Sequence, residues 1–231
     1  MNSLANVVAL AQSPSLTLNC VDDLEASDSE LVEALGQAGR KVIYGVQGPV
    51  SVVEETFSAT DYSATTVAFD VHNDGLYLKS LPRFVLLYCN DAGRGDTPTV
   101  FCDSSVAASR VLNLPMRDTF CRLSTVYIGR DGEEHETKLI QTHPSTKRPV
   151  LVLGSRAYLR SSRGLSVDLI PTLRELSSAL NEIYHAIECS IVDQKRWRKG
   201  DVVIFDNYQY LHARRADRPD EKRRLKRIWF D

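Results

Sequence analysis

The chain predicts a mainly β fold, a sandwich or barrel with flanking helices, on three observations. From residue 65 onward, short apolar runs alternate with Gly, Pro, Asp and Asn, the texture of strands closed by tight turns. Only one long stripe has helical spacing: Leu173, Leu176, Leu180, Ile183 and Ile187, three and four residues apart. The 231 residues suffice for one sizeable core, and no repeat, linker or low-complexity tract divides them. Residues 1–231 therefore read as a single domain, with strands and a helix from 1–64 packing on a core formed by 65–231.

Taken in order, residues 1–21 suggest two short β-like pieces around Ser13-Pro14. Ser27-Asp-Ser-Glu30 has the form of a capping box, Leu31, Val32 and Leu35 give an apolar face, and Gly39 is a stop, so 28–38 is a helix. Residues 42–46 form a strand ended by Gly48-Pro49, and 50–62 a short helix or loop. A strand reaching residue 69 leads into His72-Asn73-Asp74. Residues 84–89 are apolar throughout, which requires cover on both faces. After a loop at 90–95 come a short strand at 99–102 and a brief helix at 103–112. Residues 123–129 and 135–142 form a hairpin about Asp131-Gly132. A strand follows at 150–154, and Pro171 opens the long helix. Near the end, 202–205 begin a strand-like run that ends in His212, and 225–230 mix basic and apolar residues.

The totals exclude several classes. Lys and Arg number 28 against 30 Asp and Glu, a net charge of -2 that gives no general attraction to nucleic acid or membrane. No stretch approaches the roughly 20 apolar residues of a spanning helix. The apolar run at 7–11 lacks the basic flank of a signal peptide. Five cysteines, odd in number and widely spaced, suit a reducing compartment, and a cytoplasmic location is expected.

His72 and Asp74 lie two residues apart, which in extended chain puts both side chains on one face. With His212 they would make two imidazoles and one carboxylate, a facial triad that suits non-haem Fe(II) and leaves positions open for co-substrates. By itself H-x-D is common, and a hydrogen-bonded loop histidine is its ordinary reading. His135, His143 and His185 compete for the role but have no such partner.

Four segments carry a resemblance over residues 66–231. They are Phe69-Asp-Val-His-Asn-Asp-Gly75; Arg94-Gly-Asp-Thr97; Thr142-His-Pro-Ser-Thr-Lys-Arg-Pro-Val150; and Trp197 to Ala213 followed by Arg223-Arg-Leu-Lys-Arg227. In this order they resemble the taurine catabolism dioxygenase-like (TauD/TfdA, clavaminate synthase-like) family of Fe(II)/2-oxoglutarate-dependent dioxygenases. The resemblance implies a double-stranded β-helix, or jelly roll. It implies Fe(II) held by His72, Asp74 and His212, with 2-oxoglutarate and O2 as co-substrates. Thr97 corresponds to the residue whose hydroxyl touches the 2-oxoglutarate carboxylate, and Arg223 to the arginine that pairs with its distal carboxylate. Arg227 corresponds to a position that meets an acidic group of the substrate in some relatives. The other reading of Arg227, Arg224 and Lys226 is a solvated basic edge strand. His143 corresponds to a structural histidine, and the retained Asp74 disfavours halogenation. The expected activity is hydroxylation of a small carboxylate-bearing substrate, such as an amino acid or derivative, with release of succinate and CO2. Neither nucleic acid nor membrane is an expected partner. The alternatives are a jelly-roll binding protein without catalysis and an oxygenase acting on a carrier-bound or macromolecular substrate.

Overall fold

The computed structural model describes residues 4–13, 18–45, 47–54, 69–78, 80–93, 98–128, 133–154, 158–161, 173–214 and 223–231. Thr97, the Asp131-Gly132 turn and Pro171 lie outside these described residues.

Two antiparallel sheets face each other. The larger has the order β1 (Leu18–Val21), β13 (Val202–Asp206), β5 (Phe84–Asp91), β15 (Arg224–Phe230) and β2 (Val42–Ile43), with β3 (Ser51–Glu54) also paired to β15. The smaller has the order β12 (Ile191–Lys195), β6 (Thr99–Asp103), β14 (Tyr210–Arg214) and β4 (Phe69–His72). A three-stranded sheet, β11 (Tyr158–Ser161), β7 (Leu123–Ile128) and β8 (Glu134–Lys138), and a pair, β9 (Ile140–Thr142) with β10 (Pro149–Leu151), complete the strands described.

Side-chain alternation turns this topology into layers. On β5, Val85, Leu87 and Cys89 enter the core between the sheets with Val203, Phe205, Leu225, Trp229 and Phe101. Phe84, Leu86 and Tyr88 point the other way, onto a core shared with Val7 and Ala11 of α1 (Leu4–Gln12) and Leu31 and Leu35 of α2 (Asp28–Gln37). The continuous apolar run at 84–89 is thus covered on both faces, as expected. The outer face of the smaller sheet lies under α3 (Ser104–Leu112) and α5 (Leu173–Glu188), with Phe120 of α4 (Arg117–Arg122) beside them. No helix among the described residues is long and apolar enough to cross a membrane.

Several elements differ from expectation. Residues 4–12 form a helix, not a β piece: Val7 and Ala11, four apart, both pack against α2, and that contact outweighs the strand preference of the valines. Residues 51–54 are a strand, drawn out by pairing with β15. The expected strand at 42–46 shortens to Val42–Ile43, and α4, β11 and β12 were not foreseen. On α5 the buried stripe runs through Ala179, Ile183, Ala186 and Ile187, while Leu180 is 36% exposed. Ala179 and Ala186 share that cluster with the equally small Ala107 and Ala108 of α3. The strand-like run through His212 is two strands, joined by a turn at Asn207. Nor is β15 a solvated edge: it lies between β5 and β2/β3, and Lys226 pairs with Asp28.

The α2 capping box is complete, with the Ser27 hydroxyl accepting from the Glu30 N–H and Glu30 accepting from the Ser27 N–H. Ser27→Ala should cost about 1 kcal/mol, and differential scanning calorimetry should show Tm lowered by about 2–4 °C for a chain of this size. The cysteines give a second expectation. Cys20, Cys121 and Cys189 are exposed and free. Cys89 is buried, and burial, helped by the nearby Asp201 charge, pushes its thiol up to about 12. The thiolate is the reactive form, so at pH 8 iodoacetamide should leave Cys89 unlabelled in the native protein, by mass spectrometry, and reach it only after denaturation.

Candidate metal centre

The two expected histidines are a cross-strand pair. His212 of β14 sits directly opposite His72 of β4 in the antiparallel register. Opposed side chains project to the same face, and the imidazole centroids lie 4.2 Å apart. That face looks into the core between the sheets, where Phe205 meets the His212 ring edge-on at 5.1 Å and Phe101 stacks at 6.4 Å.

Asp74 arrives by a turn, not by strand alternation. β4 stops at His72, and the chain bends so that Asp74 Oδ1 lies 3.7 Å from His72 Nε2 and Oδ2 lies 3.9 Å from His212 Nε2. One ligand atom from each of the three residues falls within 4.8 Å of the others, and the residues are only 5%, 3% and 7% exposed in chain order. Two buried asparagines hold the bend. Asn73 accepts from the Leu153 N–H and donates to the Asn207 carbonyl. Asn207 accepts from the Asp74 N–H and donates to the carbonyls of Asp74 and Pro82. Gly75 then takes φ +77°, and a Cβ there would come within 2.6 Å of Pro82 Cδ.

The electrostatics suit a cation. Burial alone would raise the Asp74 carboxyl, but Arg227, a hydrogen bond from His72 and both imidazoles hold it well below the usual carboxylate range. Burial pushes the His212 imidazole down to about 3, with His72 adding to the effect and Asp74 opposing it. At neutral pH the cluster is thus an anionic carboxylate beside an uncharged His212 ring, the form in which imidazole donates a lone pair. His212 Nδ1 is buried with no hydrogen-bond partner among the described residues, so Nε2, facing the carboxylate, is the side of the ring that interacts. The donor set fits a divalent transition metal bound on one face.

Two guanidinium groups, both from the last segment of the chain, donate to interior side chains. Arg227 Nη1 donates to Asp74 Oδ1 at 2.7 Å, and its Nε donates to the Ser51 hydroxyl at 3.2 Å. Arg223, buried, donates to Thr99 Oγ1 at 3.3 Å, and Trp197 Nε1 donates to the same oxygen at 2.9 Å. Arg214 is buried on β14, in register with Thr99, so the basic run at 214–227 is in part internal. Of the residues expected beside the triad, Arg227 touches Asp74 and Arg223 touches Thr99, whereas Thr97 lies outside the described residues. Sequence reasoning missed Thr99, two positions further along the chain, and also Trp229 and Asn207. His143 Nε2 bonds Asp206 at 3.2 Å while its Nδ1 accepts the N–H groups of Ser145 and Thr146, which makes it a turn clasp. His135 lies on β8 and the exposed His185 on α5, and neither joins the cluster.

The chain matches the family described as taurine catabolism dioxygenase TauD, TfdA family over residues 22–229. It is 25% identical to the tyrosine isonitrile desaturase of Pseudomonas aeruginosa, over 97% of this chain and 75% of that protein. It is 26% identical to the 3-((Z)-2-isocyanoethenyl)-1H-indole synthase of Fischerella ambigua, over 73% of this chain and 65% of that protein. Among solved structures it resembles PvcB, an Fe, alpha-ketoglutarate dependent oxygenase from an isonitrile synthetic pathway. The TM-score is 0.69 at 22% identity, over 98% of this chain and 79% of that one. The two facing sheets are therefore those of the double-stranded β-helix.

Gly75→Ala forces a methyl group onto Pro82 and moves the Asp74 backbone with it. The variant should fold, yet isothermal titration with Mn(II) should show affinity reduced by about tenfold or more, as for loss of the groups that orient a ligand. Asp74→Ala should abolish the binding.

Proposed function

The chain belongs to the taurine catabolism dioxygenase TauD, TfdA family, and from that premise we propose that it is an Fe(II)- and 2-oxoglutarate-dependent oxygenase that hydroxylates a small, carboxylate-bearing amino acid derivative. The observation that carries the reading is the buried cluster of His72, Asp74 and His212, with one ligand atom from each inside 4.8 Å. With O2 and 2-oxoglutarate, bound Fe(II) supplies the oxidising power to break an unactivated C–H bond, and succinate and CO2 leave.

The protein supplies position, charge and dryness. His72 and His212 would each give one imidazole nitrogen and Asp74 one negative charge, which would leave three coordination positions available. Arg223 is assigned to the distal carboxylate of 2-oxoglutarate. Its planar fork matches a carboxylate, and Thr99, braced by Trp197, fixes one of its N–H groups. Thr97 is assigned to the same carboxylate by its place in the Gly-Asp-Thr motif. Arg227 is assigned to an acidic group of the primary substrate. A guanidinium has five N–H donors, and the contacts to Asp74 and Ser51 use two. The apolar wall of Phe101, Phe205 and Leu87 keeps water from the reacting bond. Five free thiols support a cytoplasmic location.

A second reading concerns the outcome of the reaction. One relative is named for desaturation and another for a product that carries an ethenyl group. An isonitrile-bearing aromatic amino acid is therefore a second substrate class, with a carbon–carbon double bond as the product.

Purified protein with Fe(II), 2-oxoglutarate and O2 should release succinate, faster in the presence of the right member of a panel of amino acids and their isonitrile derivatives. A product heavier by one oxygen supports hydroxylation, and one lighter by two hydrogens supports desaturation. Arg223→Gln should raise KM for 2-oxoglutarate by about tenfold or more, the cost of a lost charged hydrogen bond. Succinate release unaffected by any panel member would overturn the substrate assignment.

A further inference from the structure

We propose that Trp229 is a positioning residue for the metal centre. Its indole N–H, together with the Arg227 guanidinium, fixes the Asp74 carboxylate so that it offers a metal one oxygen and not two. The inference rests on the metal reading given above.

Asp74 has a separate donor on each oxygen. Arg227 Nη1 meets Oδ1 at 2.7 Å, and Trp229 Nε1 meets Oδ2 at 3.3 Å. Both donors stand on β15, two residues apart, and so leave the strand on the same inward face. They also hold each other, because the Arg227 guanidinium lies 4.5 Å over the Trp229 ring, a cation–π contact. Tyr77, from the turn that follows Asp74, meets the indole edge-on at 5.9 Å. Gly45 lies beside it, where a Cβ would sit 3.4 Å from the six-membered ring. Trp229 is 4% exposed, so water does not compete for the N–H.

A carboxylate can turn about its Cβ–Cγ bond and chelate a cation with both oxygens. Here that rotation breaks both outer hydrogen bonds at once. Outer partners of this kind orient metal ligands and set affinity. Chelation by Asp74 would take a coordination position that the co-substrates need, so the indole protects the openness of the site without touching a substrate itself. Phenylalanine would keep an aromatic face for Arg227 and Tyr77 and delete only the N–H.

The test is a titration of the full-length apo-protein and its Trp229→Phe variant with Co(II), read by visible absorption. The variant is expected to bind with affinity changed by about tenfold or more, and with a changed band intensity that reports ligation by both Asp74 oxygens. Wild-type affinity and spectrum in a folded variant would overturn the proposal. If the wild-type chain binds no Co(II), the metal reading itself fails. If the variant does not fold, the intact chain decides, through the nitrogen-15 resonances of its two indoles. The Trp229 N–H should be slow to exchange with water and should shift on adding Zn(II). A Trp229 signal that exchanges freely and ignores Zn(II) would overturn the proposal.

Discussion

A buried negative charge is costly unless the protein answers it, and the interior of this molecule is arranged around answering Asp74. A guanidinium, an indole N–H and two imidazoles converge on one carboxylate. They belong to two relations in the fold. The imidazoles face each other because β14 and β4 pair in one register. The guanidinium and indole share one face of β15 on the opposing sheet. A one-residue slip in any of these strands would turn its groups to the wrong side. Sheet register and charge balance are therefore the same requirement stated twice.

The layers around the core supply that register. β5 and β13 lie at the centre of the larger sheet and are apolar on both faces, so helices cover one side and the opposing sheet the other. Strands buried in this way have no solvent face to slip towards. The Asn73–Asn207 pair does comparable service at the bend, where no ladder can, by hydrogen-bonding side chains to backbone on both sides. Hydrophobic layers set the strands, and polar clasps set the turns between them.

Part of the site was legible locally. The spacing of His72 and Asp74 offered a candidate pair that the surrounding motifs then picked out, and the doubly covered strand at 84–89 showed in its unbroken apolar run. His212 needed the surrounding motif, since a single histidine beside a strand has no partner in sequence. The roles of Arg223, Arg227 and Thr97 came from resemblance alone. Thr99, Trp229 and Asn207 were invisible for a physical reason: their hydrogen bonds span 98, 155 and 133 residues, and nothing local marks them. The helix at 4–12 was misread because nine residues rich in valine and alanine satisfy either period. Only packing against α2 decides between them.

Arg223 and Arg227 stand four residues apart at the start of one extended segment. At about 3.3 Å per residue, the chain between them spans roughly 13 Å. That length acts as a ruler between two interior contacts, with the Arg223 guanidinium on Thr99 at one end and the Arg227 guanidinium on Asp74 at the other. A strand keeps its side chains on the same face only when its length changes by two residues, so the ruler is graduated in steps of about 6.6 Å. The register shift opposite Arg224 and Leu225 falls on β5, where Asn90 is the extra residue, so the alternation along β15 runs unbroken from Arg224 to Arg227. The spacing of the two guanidinium groups along this strand can therefore change only in whole steps.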